Sequence, residues 1–330
     1  MSTVIVPADH SATATAPDRD ADRTAAVRWH RPLLWLAVAM AALSVVCGIG
    51  MLVDDRTLLG VGVWEKPLKF ALSALVYSVT WSWLIGQLQR FRRVAWWAGT
   101  IAAGLLVVEL VIIVGFAAAG ETSHFNVTTP FHTAMWAVMA FSISTLWVAT
   151  FVVSVILFRN PSADPARSIA VRSGAIIALV GMGLAFLMTG PNADQLSDFQ
   201  GVAGAHAVGV ADGGPGLPLL GWSTVAGDLR IPHFVGMHAL QVIPLVLLIV
   251  ELASRRVPLL RDSAVRARLV TIVAAAYAAV LALLTWQALR GQSIVQPDAL
   301  TLAVGGAIAA ASLVAVLAVV ARATTPQRTK

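Results

Sequence analysis

Charge is scarce in this chain of 330 residues: Asp, Glu, Lys and Arg together make 12% of it. A soluble domain carries about 25%. Cysteine is scarcer still, with only Cys47, which excludes an intrachain disulfide and reads as a small buried hydrophobe. Lysine occurs only at Lys66, Lys69 and Lys330, so arginine supplies nearly all the positive charge. No Walker loop, G-x-S-x-G elbow, H-E-x-x-H pair or zinc-finger spacing is present. The basic pI of 10.4 therefore does not point to nucleic acid.

What fills the chain is apolar: 58% of residues are hydrophobic and the mean hydropathy is +0.79. Apolar runs of membrane-spanning length predict an all-α bundle of about eight transmembrane helices. They fall near 33–53, 67–88, 94–118, 130–158, 173–190, 232–253, 269–287 and 298–320. Residues 1–31 and 322–330 read as polar tails flanking a transmembrane domain at 32–321, with a long connection at 191–231. The first tail, rich in Ala, Thr, Asp and Arg, reads as disordered and lacks the pattern of a secretory signal.

Arginine clusters before span one, between spans two and three, four and five, six and seven, and after span eight. By the positive-inside rule those connections are cytoplasmic, as are both termini, and the cell (inner) membrane is the expected location. The opposite connections carry His124, His132, His206, His233 and His238, together with Lys66, Lys69, Arg230 and Arg290. Any chemistry is expected on that outer side. A weak likeness between Glu65–Phe70 and Leu229–Phe234 suggests an internal repeat of two four-helix halves.

Pro67, Pro130, Pro232 and Pro297 mark the helices that run inward, with Thr129 a natural N-cap. Their N-termini, with Lys66, Lys69, Arg230 and Arg290, favour an anionic group on the outer side. Lys66 and Lys69 are spaced to share a helix face. Lipid headgroups offer both lysines an alternative partner. Glu109 lies ~14 Å below the outer end of span three, and a carboxyl at that depth is functional by default. Its expected partner is Lys69 or an outer histidine. Glu251, near the inner end with Arg255 one turn on, reads as half of a structural ion pair.

Glu109 and His124 are the candidate acid and base. Lys66, Lys69, Asn126, His132, Arg230, His233, His238, Gln241 and Arg290 are the candidate ligand- or cofactor-binding residues. A metal ion would need His124, His132 and His238 with a carboxylate, from several helices. Haem b would need His132 and His238 as an axial pair. The eight-span architecture with outer histidines is similar to that of haem A synthases. It departs from them in having no histidine in span two or eight, where that family carries one in each. The connection at 191–231 reads either as a surface loop or as a lid, with Asn192–Gln195 a short helix within it.

The strings Trp64–Phe70, Ser123–Asn126 and Ile231–Gln241 resemble those of an uncharacterised family of bacterial polytopic membrane proteins. The likeness covers most of the chain and implies a polytopic membrane fold, without an activity. Three functions stay open. One is an outward-facing polar cavity for an anionic lipid, another anionic amphiphile, or a cofactor, with or without catalysis. The others are a haem-binding redox protein, and a small transporter or proton-coupled sensor using Glu109. The inner halves of the spans offer few polar residues for transport.

Overall fold

The proline-marked boundaries become helix starts in the computed structural model, which describes residues 28–324. The expectations for the tails lie outside the described residues at 1–27 and 325–330. The long helices are α1 (Arg31–Val53), α2 (Glu65–Gln87), α3 (Arg92–Ala119), α4 (Pro130–Phe158) and α5 (Pro165–Gly183). They continue with α9 (Ser263–Leu289) and α10 (Ala299–Thr324). A 3-10 turn, Leu184–Met188, ends α5. Short α6 (Ala193–Ser197) stands in the long loop, closed by a reciprocal Asn192–Gln195 capping box. Two short antiparallel strand pairs are also present: β1 (Thr57–Leu58) with β2 (Val61–Gly62), and β3 (Ala207–Val208) with β4 (Gly227–Asp228).

Seven of these helices are long and apolar enough to cross a membrane. An eighth crossing is available if α7 (Arg230–Met237) and α8 (Ala239–Ala253), bent by 46° at their break, form one span. The chain is thus an all-α, multi-pass membrane bundle. Continuous outward apolar surface on α1, α3 and α10 fits a lipid solvent, in which backbone groups must be satisfied inside each helix.

The sixth span differs from the uninterrupted run that its hydropathy predicts. Val235 falls one turn before the break, and its carbonyl accepts from the Tyr277 hydroxyl of α9 at 2.6 Å. A neighbouring helix thus re-satisfies a carbonyl at the break, as broken membrane helices require. Pro244 further weakens α8, having no N–H to donate one turn back. The break is also pressed by a helix crossing: a Cβ on Gly181 of α5 would overlap the backbone of Gly236 in α7. Such close approach is the usual device for joining helices where lipid removes any hydrophobic drive.

Contacts fall into two groups. α1 packs on α2, α3 on α4, and α3 on both α1 and α2. The pattern recurs beyond residue 164: α5 packs on α7 and α8, α9 on α10, and α9 on α5, α7 and α8. The groups meet chiefly through α4 with α5 and α2 with α8. Glu251 does not pair with Arg255 as its spacing predicted. Its carboxylate accepts both Arg167 Nε at 2.8 Å and Arg167 Nη2 at 3.1 Å, tying α8 to α5. A bidentate fork across two helices satisfies both oxygens, which a neighbour one turn along the same helix does less well.

Candidate functional site

The seam between the two groups holds a cavity of about 420 Å³. Each group contributes to its wall: α2, α3 and α4 from one, α5 with its 3-10 turn and α7 from the other. Its charged groups and imidazoles gather at one end of the wall, with Trp136 against the His124 ring. The rest is mostly apolar, including Leu106, Leu110, Met139, Trp147, Met182 and Phe186, and is interrupted by Ser73, Tyr77 and Ser144. Phe186 is half exposed, so the cavity wall reaches the protein surface. The wall differs from the polar one expected from sequence, since apolar side chains build most of it.

Lys66 stands in the first turn of α2 and donates from Nζ to His124 Nδ1 at 3.2 Å. An ammonium only donates, so Nδ1 is the acceptor and the ring proton sits on Nε2. That Nε2 lies 3.9 Å from Glu109 Oε1. Glu109 is 2% exposed, and its Oε2 is buried without a hydrogen-bond partner. Its neighbour is therefore an outer histidine and not Lys69. His124 reaches this position because Gly120 ends α3 in the left-handed conformation (φ 75°), turning the chain at once into the loop. Burial, then Lys66 and His206, hold the His124 imidazole well below its ordinary value.

The long loop contributes a second imidazole. His206 Nδ1 donates to Asp212 Oδ2 at 2.7 Å, and the His206 and Ala207 amides donate to Oδ1 at 3.1 and 3.0 Å. Burial alone would raise the Asp212 carboxyl. The His206 ring and these amides outweigh it and hold the group at about 2. Burial lowers His206, and its bond to Asp212 only partly offsets this. Pairing of β3 with β4 sets His206 beside the start of α7, where its carbonyl accepts from Leu229 N at 2.9 Å.

Arg230 opens α7 and lines the same cavity. Its Nε and Nη2 donate to buried Asp228, and Nη2 also to Gly221 O, while Nη1 makes no hydrogen bond among the described residues. His233, one turn on, donates from Nδ1 to Gly181 O at 2.8 Å and faces the cavity too. Lys66, Glu109, His124, Arg230 and His233 are thus brought together.

The other candidates are placed elsewhere. Lys69 does not share the work of Lys66, because a loop carbonyl, Leu220 O, takes its Nζ at 3.0 Å. Asn126 closes its own loop through Thr122 O and Thr128. His132 is held by Glu121 Oε2 at 2.9 Å and Thr129 Oγ1 at 2.6 Å. Arg290 pairs with Asp298 at 2.6 Å and lies over the Trp286 ring. His238 and Gln241 line a second, much smaller space with Ser73, Tyr77 and Thr150. The axial pair needed for haem is therefore not assembled: His132 is tied to the α3–α4 loop, while His238 lines the smaller space. The His124, His132 and His238 metal set fails for the same reason. Among the described residues no three His, Cys, Asp or Glu side chains are grouped to hold a metal ion.

His206, one of the outer histidines, and Asp212 were not among the candidate site residues, because a Gly-rich loop offers no period by which to pair them. The available signal was the Asp212-Gly-Gly-Pro turn six residues beyond a histidine. Gly209 and Gly213 take positive φ there (80° and 95°), which turns Asp212 back onto His206. Comparison with protein-family models, curated proteins and solved structures finds no match.

Proposed function

We propose that this membrane protein binds an anionic amphiphile in an outward-opening cavity at the seam of its two helix groups. The observation that carries this is the division of one cavity wall into a charged end and an apolar, Met- and Trp-rich body. Lys66 and the free Nη1 of Arg230 suit an anionic head. The body suits a hydrocarbon tail, and its methionines adapt to irregular shapes. The arginine-rich ends lie in the cytoplasm of the cell membrane, so the cavity faces outward. The bilayer is then the source of the ligand, reached through the wall at Phe186.

Purification in mild detergent followed by native mass spectrometry tests this. The expected result is a bound anionic lipid or other amphiphile, lost in Lys66→Ala while the protein still elutes as a single species. An empty wild-type protein that also fails to take up an added anionic amphiphile overturns the reading.

A proton-coupled transport reading has one observation in its favour. Tyr77, Thr150, His238 and Gln241 continue the polar lining below the cavity, with Tyr77 Oη 2.8 Å from Thr150 Oγ1. Proton uptake into liposomes driven by an anionic amphiphile, abolished in Glu109→Gln, is its test.

A further inference from the structure

We infer that the anionic head is a phosphate monoester, and that His206, oriented by Asp212, is the base that activates water to hydrolyse it. This rests on the amphiphile-binding reading above and adds the head chemistry and the reaction.

Three observations define the head. Lys66 and Arg230 both line the polar end of one cavity, and two cations of which one is a guanidinium suit a phosphoryl group better than a single carboxylate. Glu109 Oε2 is buried in the same wall without a partner, so the head should bring a hydrogen-bonding group to it. A carboxylate or sulfate ester can only accept there. A monoanionic phosphate monoester can accept or, through its P–OH, donate, and so meets either protonation state of the carboxyl.

The fourth observation defines the reaction. Asp212 holds the His206 ring by Nδ1 and is itself held by two backbone amides, so the ring is fixed in orientation and tautomer. The lone pair is left on Nε2, which no described group engages. An Asp-oriented imidazole that lines the same cavity as two cations is the arrangement of a general base.

In the step, water oxygen bonds to phosphorus and the phosphorus–oxygen bond to the alcohol breaks. The proton lost by water goes to His206 Nε2 and from there to the phosphate product. The leaving oxygen takes the P–OH proton of the monoanion. The products are a long-chain alcohol and inorganic phosphate, and no oxidant or further reactant is consumed. Lys66 and Arg230 stabilise charge on the phosphoryl oxygens.

The test uses the full chain in mild detergent with dodecyl phosphate as probe, reading bound probe by native mass spectrometry and released phosphate by colorimetry. Wild type is expected to bind the probe and release phosphate. His206→Asn keeps an N–H for Asp212 but removes Nε2, and should lower kcat roughly 10²–10⁴-fold with binding retained. Asp212→Asn should lower kcat about 10–100-fold with KM unchanged, the mark of a positioning residue. If His206→Asn aggregates, Asp212→Asn carries the test. Probe bound but not hydrolysed by wild type overturns this inference and leaves amphiphile binding standing. Probe neither bound nor hydrolysed overturns both. A wild-type rate in a folded variant of either residue overturns the role of the pair.

Discussion

Lys66 and His124, 58 positions apart in sequence, meet at 3.2 Å between Nζ and Nδ1 at the polar end of the cavity. The contact fixes the imidazole tautomer and turns its Nε2 toward Glu109. A side chain on one helix and another in the loop after the next thereby share a proton-bearing network.

Removal of Lys66 should be felt in affinity more than in folding. A charged hydrogen bond to a ligand contributes ~1.5–3 kcal/mol. Lys66→Ala is expected to weaken binding of an anionic amphiphile about 10–100-fold. Titration followed by native mass spectrometry reads this directly, and unchanged affinity would remove Lys66 from the site.

Arg230 has a structural duty that its variants should reveal. Asp228 is 1% exposed and is paired with the Arg230 guanidinium. Arg230→Met leaves that carboxylate buried without its counter-charge, held only by the Ser223 and Arg230 amides, at a cost of about 3–5 kcal/mol. The thermal midpoint in detergent should fall sharply, and the double variant Arg230→Met with Asp228→Asn should recover part of the loss. A double variant no more stable than the single one counts against the pairing as the cause.

The α5–α7 crossing should tolerate no side chain at Gly181. Gly181→Ala forces backbone against backbone and should cost at least the ~1–3 kcal/mol typical of overpacking. Gly48→Ala is the control, since a Cβ there meets nothing within 4 Å. Equal thermal midpoints for the two variants would show that the two backbones are not in close contact at this crossing.

The Asp212 loop should respond to acid in a defined window. The folded carboxyl sits at about 2, below its ordinary value, so its stabilisation is present above about pH 4 and is lost as pH falls toward 2. Hydrogen exchange at the His206 and Ala207 amides should therefore rise across that window. In Asp212→Asn exchange should be high already at neutral pH. His206 is also lowered, so it is a free base at pH 7 and gains a proton only below its ordinary range. An acid limb of any activity near pH 7 would contradict that.

Hydropathy and proline placement were enough to place most of the spans, because each membrane helix must satisfy its own backbone and so announces itself locally. The bend at His238 was not legible there: it depends on Tyr277 and Gly181, which belong to other helices. The same holds for the candidate site. Lys66, Glu109, His124, Arg230 and His233 stood out because polar groups beside apolar runs are costly and few. That Lys69 and Arg290 turn to Leu220 and Asp298 is a matter of which partner lies within reach.

From its amino acids alone this chain is committed to crossing a bilayer many times as helices, with arginine gathered at one set of helix ends and histidine at the other. Those are one-dimensional properties, set by transfer of each segment out of water. Only the tertiary structure decided which polar groups share a space and that most of that space is apolar. It also brought a histidine from a glycine-rich loop to the chamber wall, with an aspartate of the same loop behind it. Pairing across helices is governed by packing and hydrogen-bond geometry, which no local pattern in a membrane sequence records.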